Sequence, residues 1–156
     1  MKSTITVEIN LPQAQVAELF SNPRHLTRWM HDVERIEALS GDLGMPGSSY
    51  RLVPKKGNMV FVATVLAKDL PNQSRLRLDA SNVVVSVTGT FKSLSANKTL
   101  LVSQEVFSFE GVIGGILGFL AQSAIRRAHR RHIEAFKTFA ESRHDPLGPH
   151  SPHPAA

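Results

Sequence analysis

Two side chains in the second half of the sequence, His132 and Glu105, could act as a general acid or base. An imidazole titrates near neutral pH, so it can move a proton or orient the carbonyl or hydroxyl of a bound molecule. His132 is predicted on the inward side of a helix, together with Ala128, Phe136 and Phe139. A histidine so placed is more often satisfied by a backbone carbonyl, or sits at the edge of the apolar stripe. Both roles stay open for His132.

Glu105 lies in a strand-like segment whose two faces are both apolar. If the odd-numbered residues from 101 to 107 face inward, this carboxylate lies in the interior and can pair with His132 or Arg77. If the even-numbered residues from 100 to 106 face inward, Glu105 is an ordinary surface residue. The alternation alone does not choose between them.

Large side chains that could line a ligand cavity are spread along the sequence. Trp29 and Tyr50 combine apolar area with one polar atom, and Phe61 brings apolar area alone. Core packing would explain these residues equally well, and it is the more common role for Phe61. The predicted ligand-contacting residues are Trp29, Tyr50, Phe61, Arg77, Phe107, Leu117, Ala121, Ala128, His132 and Phe136.

Several other chemistries lack the residues that they need. Cysteine is absent, which excludes disulfides, thiolate nucleophiles and zinc sites built on cysteine. No G-x-S-x-G nucleophile elbow occurs, and the glycines of 111–118 form neither a dinucleotide fingerprint nor a phosphate-binding loop. We therefore expect no cofactor, no metal site and no nucleic-acid partner.

Apolar periodicity and turn residues divide the sequence into one strand, two short helices, six further strands and a long helix. Ile5, Val7 and Ile9 alternate with polar residues, as in a half-buried strand. Pro12 and Pro23 suit the first positions of the two short helices. The later strands are joined by turns too short for crossover helices, so the sheet is predicted to be antiparallel. This is an α+β fold with its helices on one side of the sheet.

The segment 112–142 is predicted to form one long helix. A helical wheel places on its inward side Leu117, Ala121, Ala124, Ala128, His132, Ala135, Phe136 and Phe139. Such a stripe could lie across a whole sheet and leave a cavity beneath it. Between 126 and 137, four arginines and Lys137 against Glu134 give a formal charge of +4, out of +5 for the chain. A basic stripe of this kind is typical of a solvated helix face, but it could also contact an anionic membrane surface.

Glycines make the first part of this segment intrinsically soft. Each glycine in a helix interior costs about 1 kcal/mol relative to alanine, and three occur at 114, 115 and 118. We predict that 110–120 is a gate to the cavity, and also a contact for a membrane or a second copy in a homodimer. A glycine-containing loop tucked into the core is the alternative.

Particular motifs resemble those of a known superfamily. The sequences NPRHLTRWM at 22–30 and GMPGSSY at 44–50 are similar to the opening of the SRPBCC (START/Bet v 1-like) superfamily, near its polyketide cyclase/dehydrase branch. NKTLLV at 97–102, the aromatic residues Phe107 and Phe109, and the helix at 128–141 resemble its last strand and helix. The resemblance covers 3–142.

This resemblance implies a helix-grip fold: a curved seven-stranded antiparallel sheet wraps around a long C-terminal helix, with two short helices between strands 1 and 2. It also implies a deep apolar cavity, which carriers and cyclases alike use for hydrophobic small molecules. We expect the protein to bind a lipid, a quinone or a polyketide-like molecule. The alternatives are a metal-independent cyclase, dehydratase or hydrolase, and a lipid or quinone chaperone that docks on anionic membrane.

One domain is predicted over 1–143, followed at 144–156 by a proline- and histidine-rich tail that is too polar to pack. The first residues alternate in polarity and lack the apolar core of a signal peptide. The most apolar run, 112–125, is shorter than the roughly 20 residues that a bilayer span needs. We therefore expect a soluble, cytoplasmic protein.

Overall fold

The computed structural model describes residues 1–143, so the tail predicted to be disordered, at 144–156, lies outside the described residues. Strand β1 (Lys2–Ile9) has the expected alternation, with Ile5 and Ile9 buried. Helix α1 (Gln13–Ser21) follows. A 3-10 turn at Pro23–His25 then leads into the short helix α2 (Leu26–Trp29). Asn22 caps this turn, because its side-chain oxygen accepts a hydrogen bond from the Arg24 amide at 3.0 Å.

Six further strands complete one sheet. They are β2 (Val33–Ser40), β3 (Ser49–Pro54), β4 (Phe61–Asp69), β5 (Gln73–Ala80), β6 (Val83–Ser95) and β7 (Lys98–Phe109). The order across the sheet is β1-β7-β6-β5-β4-β3-β2, and every neighbouring pair is antiparallel. The first and last strands of the chain are therefore neighbours, and the predicted seven-stranded antiparallel sheet is confirmed.

Two helices follow β7, and the prediction of one continuous helix over 112–142 is wrong. Helix α3 (Gly111–Leu120) and helix α4 (Gln122–Ser142) are separated at Ala121. Ala121, at φ −85° and ψ −4°, is a single turn residue at the edge of the right-handed helical region, where α3 ends and α4 begins. Within residues 1–143, no helix is both long and apolar enough to cross a membrane.

Helix α4 packs on the concave side of the sheet and supplies much of the core. Its buried residues are His129, Ile133, Phe136 and Ala140, at helical spacing. The ring of Phe136 lies 5.0 Å from that of Phe20 and 5.2 Å from that of Trp29, which ties α4 to α1 and α2. This arrangement confirms the long helix gripped by a sheet, with two short helices between the first two strands.

The predicted inward stripe of α4 is displaced by about one residue. Ala124 is exposed, and Ala128, His132, Ala135 and Phe139 are only partly buried. The two helices do not share one helical phase, because the chain breaks at Ala121 between them.

Candidate functional site

Two adjoining cavities lie between the concave face of the sheet and α4. The first, of about 100 Å³, we name the tryptophan chamber, because Trp29, Tyr50, Leu76 and other mainly apolar side chains line it. The second, of about 550 Å³, we name the loop chamber, because the loop at 55–60 between β3 and β4 forms part of its wall. The two chambers share wall residues, namely Met30, Leu52, Leu78, Glu105 and His132.

Strand β7 decides which polar groups enter this space. Leu101 and Ser103 are fully buried, whereas Val106 is exposed. The odd-numbered residues therefore face inward, as the first of the two alternations predicted. Glu105 and Phe107 consequently line the loop chamber, and Glu105 lines the tryptophan chamber as well.

The carboxylate of Glu105 is one of two titratable groups that line both chambers, the other being His132. Its side chain is 19% exposed, and burial raises its pKa to about 7. The electrostatic interaction with His132 partly offsets this rise in the pKa of Glu105. At neutral pH Glu105 can therefore exchange a proton with a bound molecule in either direction. The predicted pairing with Arg77 does not occur.

A buried histidine that sequence reasoning missed lies beside this carboxylate. His129 Nε2 is 3.8 Å from Glu105 Oε1, too far for a hydrogen bond. Its Nδ1 is instead 2.8 Å from the hydroxyl of Ser3, and its Nε2 is 2.9 Å from that of Ser103. Burial lowers the pKa of His129 to about 4, so the ring is neutral at pH 7. Either tautomer satisfies both serines, because a hydroxyl can donate or accept.

His132 follows His129 by about one helical turn and is more exposed to solvent. Its Nε2 is 3.0 Å from Asp32 Oδ1, and its side chain is 22% exposed. This hydrogen bond is the main reason why the pKa of Asp32 is lowered. His132 lines both chambers. The structure therefore places it at the edge of the buried face, with a protein partner, while still in reach of a ligand.

Two buried donors have no hydrogen-bond partner among the described residues, and both belong to residues that line the tryptophan chamber. They are the indole N–H of Trp29 and the hydroxyl of Ser21. Trp29 is only 5% exposed, and its indole stacks on Phe20 with ring centroids 5.6 Å apart. A buried donor without a partner costs about 1–3 kcal/mol, so either group would be stabilised by an acceptor that reached it.

The structure distributes the predicted ligand-contacting residues unequally. Trp29 and Tyr50 line the tryptophan chamber, whereas Phe61, Phe107 and Ala128 line the loop chamber, and His132 lines both. Tyr50 is almost fully buried, which raises the pKa of its phenol well above the usual range.

Four of the predicted contacts lie outside both chambers. Arg77 lies on the outer face of the sheet, where its guanidinium contacts Asp79 at 2.8 Å. Leu117 is 60% exposed on α3, and Ala121 stands at the break between the helices. Phe136 is fully buried, but in the aromatic core beside Trp29. Leu117 and Ala121 precede α4 along the chain, so the break at Ala121 separates them from the helix that lies against the chambers.

Comparisons with known proteins agree with this architecture. A family model described as polyketide cyclase / dehydrase and lipid transport matches residues 1–141. The chain belongs to this family. A comparison with curated proteins finds no significant match to the sequence.

Solved structures with the same fold include proteins of different kinds. The Zhui aromatase/cyclase from Streptomyces sp. R1128 is 19% identical, with a TM-score of 0.76 over 95% of this chain and 98% of that one. A START superfamily protein from Mycobacterium smegmatis is 16% identical, with a TM-score of 0.71 over 90% and 97%. Norcoclaurine synthase from Thalictrum flavum is 12% identical, with a TM-score of 0.64 over 89% and 86%. At these identities the likeness shows the START-like helix-grip fold and not an activity.

Proposed function

We propose that the protein binds a hydrophobic or aromatic small molecule in the two chambers between the sheet and α4. One observation carries this proposal: the walls of both chambers are mainly apolar, yet two titratable side chains, Glu105 and His132, line both of them. Apolar walls with few polar groups are typical of small-molecule sites. A quinone, or an aromatic ketone of the polyketide kind, has the matching chemistry, because its carbonyl oxygens accept hydrogen bonds.

The size of the tryptophan chamber provides a direct test. Ala67 lines this chamber from β4, so Ala67→Phe would place a ring in the space proposed for the ligand. Ala38→Phe is the matched control, because Ala38 is exposed on β2. The probe is 2-methyl-1,4-naphthoquinone, and the absence of cysteine from the chain prevents thiol addition to it.

Native mass spectrometry, followed by denaturing extraction, measures the complex. We expect a one-to-one adduct with the unmodified chain and with Ala38→Phe, and at least a tenfold lower yield with Ala67→Phe. Equal recovery of the quinone from all three proteins would contradict binding in the tryptophan chamber, which Ala67 lines.

The position of Glu105 favours a second function, acid–base catalysis of the cyclase or dehydratase type. A carboxyl with a pKa of about 7 is suited to remove a proton next to a ketone, since its pKa matches a neutral operating pH. In that step the carboxylate takes the proton from the carbon beside the carbonyl. The electron pair moves onto the carbonyl oxygen and forms an enolate, and Glu105 returns a proton to the carbon.

Deuterium exchange follows this step without knowledge of the natural substrate. In D₂O, 2-tetralone bound beside Glu105 would exchange its hydrogens adjacent to the carbonyl, which NMR detects. We expect Glu105→Gln to abolish the catalysed exchange while quinone binding persists, and Glu34→Gln, an exposed carboxylate on β2, to leave it unchanged. Exchange at the same rate with Glu105→Gln as with the unmodified chain would exclude Glu105 as the base.

A further inference from the structure

Helix α3 presents an unusual surface, because its large apolar side chains point away from the protein. Its exposed residues are Val112, Ile113, Ile116, Leu117, Phe119 and Leu120, each between 57% and 81% exposed. The contact with the fold is made by glycine instead. Gly118 is the buried residue of α3, and it packs so closely on the Phe109 ring that no Cβ would fit. The helix therefore buries a glycine, Gly118, and exposes its largest side chains.

A contiguous apolar surface of this kind marks an interaction site. The charged residues beside α3 indicate which kind of partner covers this apolar surface. A groove of about 260 Å³ at the start of α4 is lined by Lys2, Arg126, Arg127 and Arg130 and by the neighbouring residues of β1. No Asp or Glu occurs between 111 and 133. The apolar helix is thus followed by a groove whose charged residues are all basic.

We propose that α3 and this basic groove dock the protein on an anionic phospholipid bilayer. The apolar side chains of α3 would enter the interface between headgroups and acyl chains, while the arginines contact lipid phosphates. At ten residues, α3 is too short to span a bilayer and suited to lie in its surface. A second copy of the chain fits less well, because a symmetric contact through α3 brings two sets of arginines to the same interface.

This inference is independent of the proposed ligand, since no exposed residue of α3 lines either chamber. Membrane docking can therefore fail while small-molecule binding holds, and the reverse is equally possible.

Flotation with vesicles tests the proposal. The vesicles contain phosphatidylcholine alone, or phosphatidylcholine with 30% phosphatidylglycerol. One variant, Phe119→Ser with Leu120→Ser, removes apolar contacts of α3, and a second replaces Arg126, Arg127 and Arg130 by glutamine. Leu94→Ser is the control, because Leu94 is an exposed apolar residue on β6, away from α3. All these positions are exposed, so the variants should fold.

We expect the unmodified chain and the control to bind the anionic vesicles, and to bind neutral vesicles at least tenfold more weakly. The serine variant should lose at least tenfold in partitioning, because two inserted side chains are lost. The arginine variant should bind the anionic vesicles at least tenfold more weakly. Raising the salt from 50 to 500 mM should weaken vesicle binding by the unmodified chain to a similar extent. Absence of vesicle binding, or equal binding by the serine variant, would overturn the proposal. So would a dimer in light scattering that the serine variant converts to a monomer.

Discussion

Helices α3 and α4 are adjacent in the chain, yet α4 buries its large apolar side chains and α3 exposes them. Helix α4 buries Ile133 and Phe136 against the sheet and exposes its arginines. Helix α3 buries Gly118 and exposes residues such as Phe119. The sheet packs against the apolar side of α4. No described part of the chain covers the exposed apolar side chains of α3. We infer that α4 belongs to the folding core and the ligand cavity, while α3 is an external surface.

The largest expected effect is a difference in stability between two Phe→Ala variants, one in each helix. Phe136→Ala removes a fully buried ring from α4 and should lower the free energy of unfolding by about 3–5 kcal/mol. Phe119→Ala makes the same change on α3, where the ring is 71% exposed. It should change the free energy of unfolding by less than about 0.5 kcal/mol. Urea denaturation measures both. Similar losses in the two variants would mean that α3 is part of the core.

A second prediction uses the titratable groups beneath α4. The pKa of Glu105 is raised from 4.5 to about 7, so its contribution to stability is present below pH 4.5 and is lost as the pH rises through 7. The pKa of His129 is lowered from 6.5 to about 4, so its contribution is present above pH 6.5 and is lost as the pH falls through 4. Each contribution is about 3 kcal/mol, and the two oppose each other.

Substitutions should separate these opposing contributions. Relative to the unmodified chain, Glu105→Gln should gain stability as the pH rises from 4.5 to above 7. His129→Gln should gain stability as the pH falls from 6.5 to 4. Glu110→Gln is the control, since Glu110 is exposed beside α3. Urea titrations across this pH range provide the measurement, and profiles parallel to that of the unmodified chain would refute the assigned shifts.

Most of the fold could be predicted because its signals are local. The alternation of Ile5, Val7 and Ile9 and the short turns between later strands depend on neighbouring residues only. The break at Ala121 could not be predicted in this way, since the Gly118–Phe109 contact that positions α3 is tertiary. The inward face of α4 cannot be extrapolated from α3, because the break changes the helical phase. The spacing of His129, Ile133, Phe136 and Ala140 was the available signal for the correct face.

The candidate site was harder to predict from the sequence, because it also depends on tertiary contacts. Both faces of β7 are apolar, so sequence alone left the orientation of Glu105 open. The pairing of β1 with β7 resolves it, because it places Ser3 opposite Glu105 and Ile5 opposite Ser103. Ser3 and Ser103 then hold His129 between them. No pattern within a single segment contains that arrangement.

The smallest expected effect concerns the glycines of α3. A Cβ at Gly118 would overlap the Phe109 ring, whereas a Cβ at Gly115 would meet nothing within 4 Å. Gly118→Ala should therefore cost about 1–3 kcal/mol by displacing α3 or the ring, while Gly115→Ala should stabilise by up to about 1 kcal/mol. Hydrogen exchange of the α3 amides should become faster in the first variant and slower in the second. The same change in both would show that the glycine contact does not position α3.

Fluorescence of Trp29 is the most direct test of this division between the two helices. Trp29 is the single tryptophan of the chain and lines the tryptophan chamber, so quenching by 2-methyl-1,4-naphthoquinone reports occupancy of that chamber. We predict saturable quenching with the same midpoint in the unmodified chain and in the Phe119→Ser, Leu120→Ser variant, and a midpoint at least tenfold higher in Ala67→Phe. Quenching that survives in Ala67→Phe and disappears in the α3 variant would contradict the account.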